Sequence, residues 1–215
     1  MKNLLKKEFA LAMHPTAPIF LMLSAMLLIP NYPYYVVFFY TGLAVFFTCL
    51  TGRENHDIDY TVQLPVAKRD VVRARFAFVL ILEGVQMVVA VPFAMLRQSL
   101  PVSGNEVGMD ANLSLFAFSL VLLGLFNLIF FSIYYKNVRQ VGKAFVVSSS
   151  VVFLYIIVLE TLTHMVPFLR DQMDTPDPKY LPQKLLVFAA GLLLFSLLTL
   201  TSYRRAVKCF EAQDL

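Results

Sequence analysis

Six long apolar stretches separate the polar parts of this chain, and they constrain its fold more than any other feature. They cover about residues 17–29, 34–50, 76–96, 113–135, 144–166 and 185–203. Most approach about 20 residues, the length that a helix needs to cross a hydrocarbon layer of about 30 Å. Because they lack the alternation of apolar and polar residues that marks strands, they are predicted to be helices. A hydrophobic content of 59% also indicates a membrane protein.

The first stretch is short, since Pro18 and Pro30 bracket it, and it fits either a re-entrant piece or a full crossing. Charge favours the crossing, because an even number of spans places the basic N-terminus and the basic segment 53–75 on one side. With six spans, 14 of the 18 Lys and Arg residues fall on that side. We therefore predict an all-α polytopic fold with six transmembrane helices and both termini in the cytoplasm.

Residues 1–13 are predicted to form an amphipathic helix at the cytoplasmic interface, because Met1, Leu5, Phe9 and Ala12 recur at helical spacing with lysines on the other side. The alternative is a plain basic flank. The whole chain is interpreted as one transmembrane domain. Its predicted parts are the interfacial helix, a first hairpin, a cytoplasmic segment, four further spans and a cytoplasmic tail: 1–13, 17–50, 53–70, 71–203 and 204–215.

The segment after the second apolar stretch is the longest strongly charged part of the chain. Glu54, Asp57 and Asp59 place carboxylates where they favour the start of a helix, and Pro65 ends that helix. Asp70 is expected to cap the third span. The pattern predicts a short, rigid, polar cytoplasmic helix, and the alternative is a solvated loop.

Sequence motifs for catalysis, metal binding and nucleotide binding are missing. There is no H-E-x-x-H and no C-x-x-C, and the three histidines are dispersed. The segment 141–145, VGKAF, lacks the first glycine and the Ser or Thr of a P-loop. No catalytic residue, metal, bound cofactor, disulfide or nucleic-acid partner is predicted, so active transport would draw energy from another chain or an ion gradient.

Two carboxyl groups fall within predicted spans, where charged groups are costly and usually functional. Glu83 lies about 10 Å from the inner end of its span, and Glu160 about 24 Å from that of its own, so they are not expected to pair. Near the outer surface, Glu160 fits either contact with interfacial water or a gate or exit site.

Matching depths places Glu83 near Asn127 and near 148–150, which includes Ser148 and Ser149, with Gln86 one turn further out. This inner polar cluster has two interpretations. It is either a structural network between packed helices or part of a transport pathway that meets cationic groups of a substrate.

The charged segment also carries a resemblance to a known family. Residues 54–76 read ENHDIDYTVQLPVAKRDVVRARF, an acidic helix followed by a Leu-Pro-Val-x-Lys turn and a basic entry into a span. Together with the N-terminal helix and the short first hairpin, this resembles the permeases of ABC type 2 exporters in the small six-span branch. Within that branch the chain looks most like exporters of amphipathic bacterial peptides such as phenol-soluble modulins.

The resemblance implies that this segment is a coupling helix that docks on a separate cytoplasmic ABC ATPase, present in two copies, which binds ATP and Mg. It also implies a second permease, identical or a close homologue, surrounding membrane lipid and a location in the bacterial plasma membrane. The coupling residues carried over from the motif are Glu54, Asp57, Asp59, Leu64, Pro65, Lys68 and Arg69. A non-transport subunit for peptide sensing or immunity, or an intramembrane enzyme, is the alternative.

Overall fold

Helices account for most of the chain in the computed structural model, which describes residues 2–101 and 104–213. Those residues contain no strand, so the predicted all-α fold is confirmed. Met1 of the predicted interfacial helix and residues 214–215 of the predicted tail lie outside the described residues. The α-helices in chain order are α1 (Lys2–Lys7), α2 (Ala17–Met22), α3 (Tyr35–Glu54), α4 (Asp57–Gln63), α5 (Lys68–Ser99), α6 (Leu113–Tyr134), α7 (Val141–Met165) and α8 (Leu181–Glu211).

Five of these helices, α3, α5, α6, α7 and α8, are long and apolar enough to cross a membrane. The most apolar part of α6 is 67% buried within the chain, whereas that of α8 is only 17% buried. Helix α6 is thus central, and α8 presents a wide apolar face outward, as expected of a helix that contacts lipid or a second subunit. We call the two ends of the bundle the Asp57 end and the Asp177 end.

The first apolar stretch forms a bent sixth segment. Helix α1 continues as a π-helical turn to Ala12, and α2 continues as a 3₁₀-helix to Leu28, with an angle of 84° between the two parts. The amide of His14 donates to Thr48 near the Asp57 end. At the Asp177 end, Asn31 accepts from the amide of Glu106. The 3₁₀-helix is narrower and more extended than an α-helix, and its rise of about 2.0 Å per residue helps these few residues to connect the two ends.

Helices α6 and α8 run in the same direction and pack closely along much of their length. At the closest approach, a Cβ added to Gly191 on α8 would lie 2.5 Å from the carbonyl oxygen of Ala117 on α6. No side chain fits there without moving backbone, so glycine is required. The opposite side of α6 contacts α3 and α7, and α5 packs on α8 and on the first segment.

The structure gives two further details at the Asp57 end. Residues 204–211, predicted as the start of the cytoplasmic tail, continue α8, because Ala206 and Phe210 are buried and Phe210 contacts the ring of Tyr135. Asp70 does not cap α5: Ala67 occupies the cap position, and its carbonyl accepts from the amide of Asp70. Hydropathy alone placed these boundaries too close to the membrane centre, since amphipathic helices extend beyond their apolar part.

Candidate functional site

Four charged side chains form a compact ion-pair cluster at the Asp57 end. Nε of Arg75 lies 2.6 Å from Oε2 of Glu8, and its Nη2 lies 2.9 Å from Oδ2 of Asp57. Nζ of Lys7 lies 2.8 Å from Oδ1 of Asp57 and 3.3 Å from Oε1 of Glu8. The cluster therefore ties three elements together: the N-terminal helical segment, α4 and α5.

This cluster is shielded from solvent. The side chains of Glu8 and Arg75 are only 1% and 3% exposed, and Cys49 on α3 accepts a further hydrogen bond from Arg75. Buried charges are tolerated only when they are paired and hydrogen-bonded. Local geometry brings Asp57 inward, because His56 adopts a left-handed conformation that turns the chain between α3 and α4.

The residues of the predicted coupling segment divide into two groups. Asp57 faces inward on Lys7 and Arg75, and Lys68 donates to the carbonyl of Gln213 at the end of α8. Exposed or partly exposed positions are occupied by Glu54, Asp59, Leu64, Pro65 and Arg69. Glu54 ends α3 rather than starting α4, so its predicted place at a helix start is wrong.

A polar groove of about 390 Å³ lies beside α4. One wall comes from Arg53, Glu54, His56 and Asp59, and the other from Tyr134, Val138 and Arg139 around the α6–α7 connection. Asp59 pairs with His56 at 3.0 Å and stays partly exposed. The groove thus presents acidic and basic groups to whatever lies outside the Asp57 end.

Within the bundle, Glu83 on α5 contacts Asn127 on α6, as predicted. Nδ2 of Asn127 donates to Oε1 of Glu83 at 2.9 Å and approaches the hydroxyl of Thr199 at 3.4 Å. Ser202, also on α8, donates to the carbonyl of Asn127 at 2.6 Å. Glu83 is almost fully buried, and its second oxygen, Oε2, has no hydrogen-bond partner among the residues that the structure describes. Three helices therefore meet at this carboxyl group.

The serines predicted beside Glu83 do not bond to it. Ser148 donates to the carbonyl of Phe145 on its own helix, and the hydroxyl of Ser149 is buried without a partner. Gln86 turns toward the first segment, where it donates to Ser24 at 2.8 Å. Depth along a helix was predicted correctly, but depth does not tell which neighbour a side chain faces. Thr199 and Ser202 on α8, which contact Asn127, were not predicted.

An apolar groove of about 500 Å³ runs between α5, α6 and α8 from Glu83 toward the Asp177 end. Its walls are aliphatic and aromatic, with Met87, Val91, Phe116 and Phe195 among them. Polar groups appear at its two limits. They are Glu83 at one and Gln98, Asn112 and Asp177 at the other.

Glu160 is fixed to a loop at the Asp177 end. Its Oε2 accepts from the amide of Met109 at 3.1 Å, and Oε1 is buried with no hydrogen-bond partner in residues 2–101 and 104–213. A Cβ added to Gly108 would lie 1.7 Å from Oε2 of Glu160, so a larger residue there would displace this carboxyl group. The carboxyl group is therefore part of the packing of the loop, and it is separate from Glu83 as predicted.

Lys184 organises the rest of the Asp177 end. This fully buried lysine donates to Asp177 at 2.7 Å and to the carbonyl of Thr175. The other oxygen of Asp177 accepts from the amide of Leu113 at the start of α6. The loops at this end are thus joined to the first turns of α6 and α8.

Asp174, in the same loop region, accepts from the amide of Asp110. Burial raises the pKa of this carboxyl group from 3.8 to about 6, although the hydrogen bond from Asp110 acts in the opposite direction. Since the folded state favours the protonated form, the contribution of Asp174 to stability is greatest below about pH 4 and is lost as the pH rises through about 6.

Comparison with known proteins places this architecture in a family. The family described as ABC-2 family transporter protein matches residues 3–211, almost the whole chain. The chain belongs to the ABC-2 transporter family. No curated protein and no solved structure matches it.

Membership of this family has three consequences. The chain is a multi-pass membrane permease with a role in transport. An ABC ATPase subunit is implied as its partner. The docking and pathway roles of individual residues remain predictions, and the geometry above shows which of them are accessible.

The ion-pair cluster of this permease includes three residues that sequence reasoning did not select, Lys7, Glu8 and Arg75. One signal was available: Glu8 is the only acidic residue among the first 53 and lies in a basic segment that was predicted to form an amphipathic helix at the cytoplasmic interface. A lone carboxylate there indicates an internal cation as its partner. The identity of that cation required the fold.

We predict that Arg75→Gln strongly destabilises the permease, because it leaves Glu8 and Asp57 without their shared buried cation. The loss in the free energy of unfolding should be about 3–5 kcal/mol. Arg73→Gln is the matched control, since Arg73 is exposed on the same helix, and it should change stability by less than about 0.5 kcal/mol. Unfolding of both variants in detergent measures the difference, and equal stabilities would contradict a structural role for the cluster.

Proposed function

We propose that this permease exports an amphipathic, cationic peptide across the bacterial plasma membrane, driven by a cytoplasmic ABC ATPase. The observation that carries the proposal is the apolar groove of α5, α6 and α8 with the unpartnered Oε2 of Glu83 at its inner limit. An amphipathic peptide has an apolar face that fits such walls and basic groups that fit such a carboxylate.

The acidic group at one limit of the groove supports a cationic substrate. Glu83 lies within the bundle, whereas Asp177, at the opposite end, already has one oxygen bonded to Lys184 and the other to the amide of Leu113. A peptide lysine would therefore pair with Glu83, since Lys184 already balances the charge of Asp177. We assign the Asp177 end to the outside.

ATP hydrolysis would be coupled to this groove through α5. Asp57 on α4 and Glu8 of the N-terminal segment both hold Arg75 on α5, and Glu83 follows Arg75 by eight residues, about 12 Å along the same helix. A displacement of α4 would therefore move α5 as a rigid body and change the shape of the groove. In this proposal Asp57 transmits motion, although sequence reasoning placed it among the docking residues.

Docking of the ATPase is assigned to the accessible groups beside α4. Glu54 and Asp59 line the polar groove at the Asp57 end and remain partly exposed. Two ATPase subunits, which would hold ATP and Mg, would contact two permeases, either identical or closely homologous. The wide apolar faces of α5 and α8 offer surface for lipid and for the second permease.

The proposed orientation puts the Asp57 end and both termini in the cytoplasm, because most of the Lys and Arg residues lie at that end. Single cysteines at Glu106 and Lys179 should react with an impermeant thiol reagent applied from outside. A cysteine at Asn55 should react only after permeabilisation. These three positions are exposed, whereas Asn105 and Thr175, at the same outer end, are buried. The parent carries Cys49→Ser and Cys209→Ser, and external labelling of the Asn55 variant would reverse the orientation.

Asp59→Lys should weaken the association between permease and ATPase and reduce substrate-stimulated ATP hydrolysis. The change reverses a charge in the polar groove, where like charges across an interface oppose binding. A loss of about tenfold in affinity corresponds to about 1.4 kcal/mol. Glu106→Lys, an equivalent reversal at an exposed position of the Asp177 end, is the control. Normal ATPase binding by Asp59→Lys would remove this residue from the docking surface.

Glu83→Gln should reduce export of a lysine-rich amphipathic peptide while thermal stability stays near that of the wild type. Glutamine keeps an oxygen that accepts from Asn127 but removes the possible negative charge. Export into inverted vesicles, with a neutral peptide of the same apolar character as the control substrate, measures selectivity. Glu83→Leu separates the alternatives, because severe unfolding of that variant would assign Glu83 to the structural network. Unchanged export by Glu83→Gln would remove its charge from the mechanism.

A further inference from the structure

A second groove, of about 660 Å³, opens between α5 and α8 near the Asp57 end. Arg69 and Arg73 lie at its mouth, four residues apart and therefore on the same face of α5. Toward the middle of the bundle its walls become apolar, with Phe76, Leu80 and Phe195. The groove thus has a cationic mouth and an apolar inner part.

The mouth carries a net positive charge. Arg69 and Arg73 are both exposed, and within the described parts of the chain neither takes part in a salt bridge. Asp70 also lines the groove, and Arg69 interacts with Tyr203 across it on α8. The residues that line the groove thus include two guanidinium groups and one carboxylate, and Glu211, outside the lining, also attracts Arg69.

We propose that this groove binds an anionic phospholipid, with the headgroup phosphate at Arg69 and Arg73 and one acyl chain along the apolar wall. Guanidinium groups match the oxygen geometry of phosphate through paired hydrogen bonds. Basic pockets between membrane helices on the cytoplasmic side are suited to such headgroups. The order of groups, cationic at the interface and apolar toward the bilayer centre, is that of a phospholipid in a membrane.

The same order argues against a second copy of the chain as the occupant. A protein surface that covered the mouth would remove two arginines from water and would have to supply carboxylates in return. A phospholipid supplies its negative charge at the depth of the arginines and its hydrocarbon at the depth of Leu80 and Phe195. The inference holds whichever substrate the permease moves.

The chain contains no tryptophan, so one introduced tryptophan reports on its own surroundings. Leu200→Trp places it in the groove wall, and Leu154→Trp, on the exposed face of α7, is the reference position. The purified full chain is reconstituted in phosphatidylcholine bilayers that contain a minor fraction of phosphatidylglycerol brominated on its acyl chains. Leu200→Trp fluorescence should be quenched more strongly by brominated phosphatidylglycerol than by an equal fraction of brominated phosphatidylcholine, and Leu154→Trp should show no such preference.

Adding Arg69→Gln and Arg73→Gln should lower the preference for phosphatidylglycerol by roughly fivefold per arginine, which corresponds to about 1 kcal/mol each. Arg204→Gln with Arg205→Gln removes the same charge at the same end outside the groove and should leave the preference unchanged. In a further variant, Ser196→Phe fills the wall without altering either arginine and should also reduce quenching. The proposal would be overturned if brominated phosphatidylglycerol and phosphatidylcholine quenched Leu200→Trp equally, or if brominated phosphatidylethanolamine quenched it as strongly as phosphatidylglycerol. It would also be overturned if the Arg204 and Arg205 control lost the same preference for phosphatidylglycerol.

Discussion

The buried guanidinium group of Arg75 is the interaction on which the Asp57 end depends. Arg75 lies on α5, and it pairs with Glu8 of the N-terminal helical segment and with Asp57 on α4. Burial makes each charge expensive unless all partners are present, so these three elements assemble together or not at all. A polar helix such as α4 has little apolar surface to hold it against a membrane domain. Here the ion pairs supply that attachment.

Helix α5 connects this cluster to the rest of the permease. Along its length it carries Arg69 and Arg73 at the second groove, Arg75 in the ion-pair cluster and Glu83 at the apolar groove. An uninterrupted hydrogen-bonded helix is stiff over this distance, so a motion received at one end is felt at Glu83. The Asp177 end is tied down separately, by Lys184 and Asp177, which join the loops to the first turns of α6 and α8. The two ends of the bundle are therefore held by separate sets of contacts, with the apolar groove between them.

The sequence predicted the depth at which the polar residues of the site lie, but not the neighbours that their side chains face. Counting residues along a helix gave the depth of Glu83 and correctly matched it to Asn127, because the rise per residue is constant. The same count wrongly included Ser148 and Ser149, since rotation about the helix axis and the order of helices in the bundle are not contained in depth. Thr199 and Ser202 contact Asn127 because α8 packs along α6, with Gly191 permitting their close approach. That packing joins segments about 70 residues apart.

The sequence by itself determined that the chain is a helical membrane protein, where its six apolar segments lie and that a charged segment follows the second. Those properties follow from local hydropathy and charge, which act on each segment independently of its neighbours. The tertiary structure alone decided that Asp57 faces inward, that Glu8 and Arg75 are its companions and that α8 continues through residues expected to be a tail. Each of these depends on a contact between distant parts of the chain. The sequence alone does not distinguish a charged residue that is hydrated at the surface from one that is buried beside a group of opposite charge.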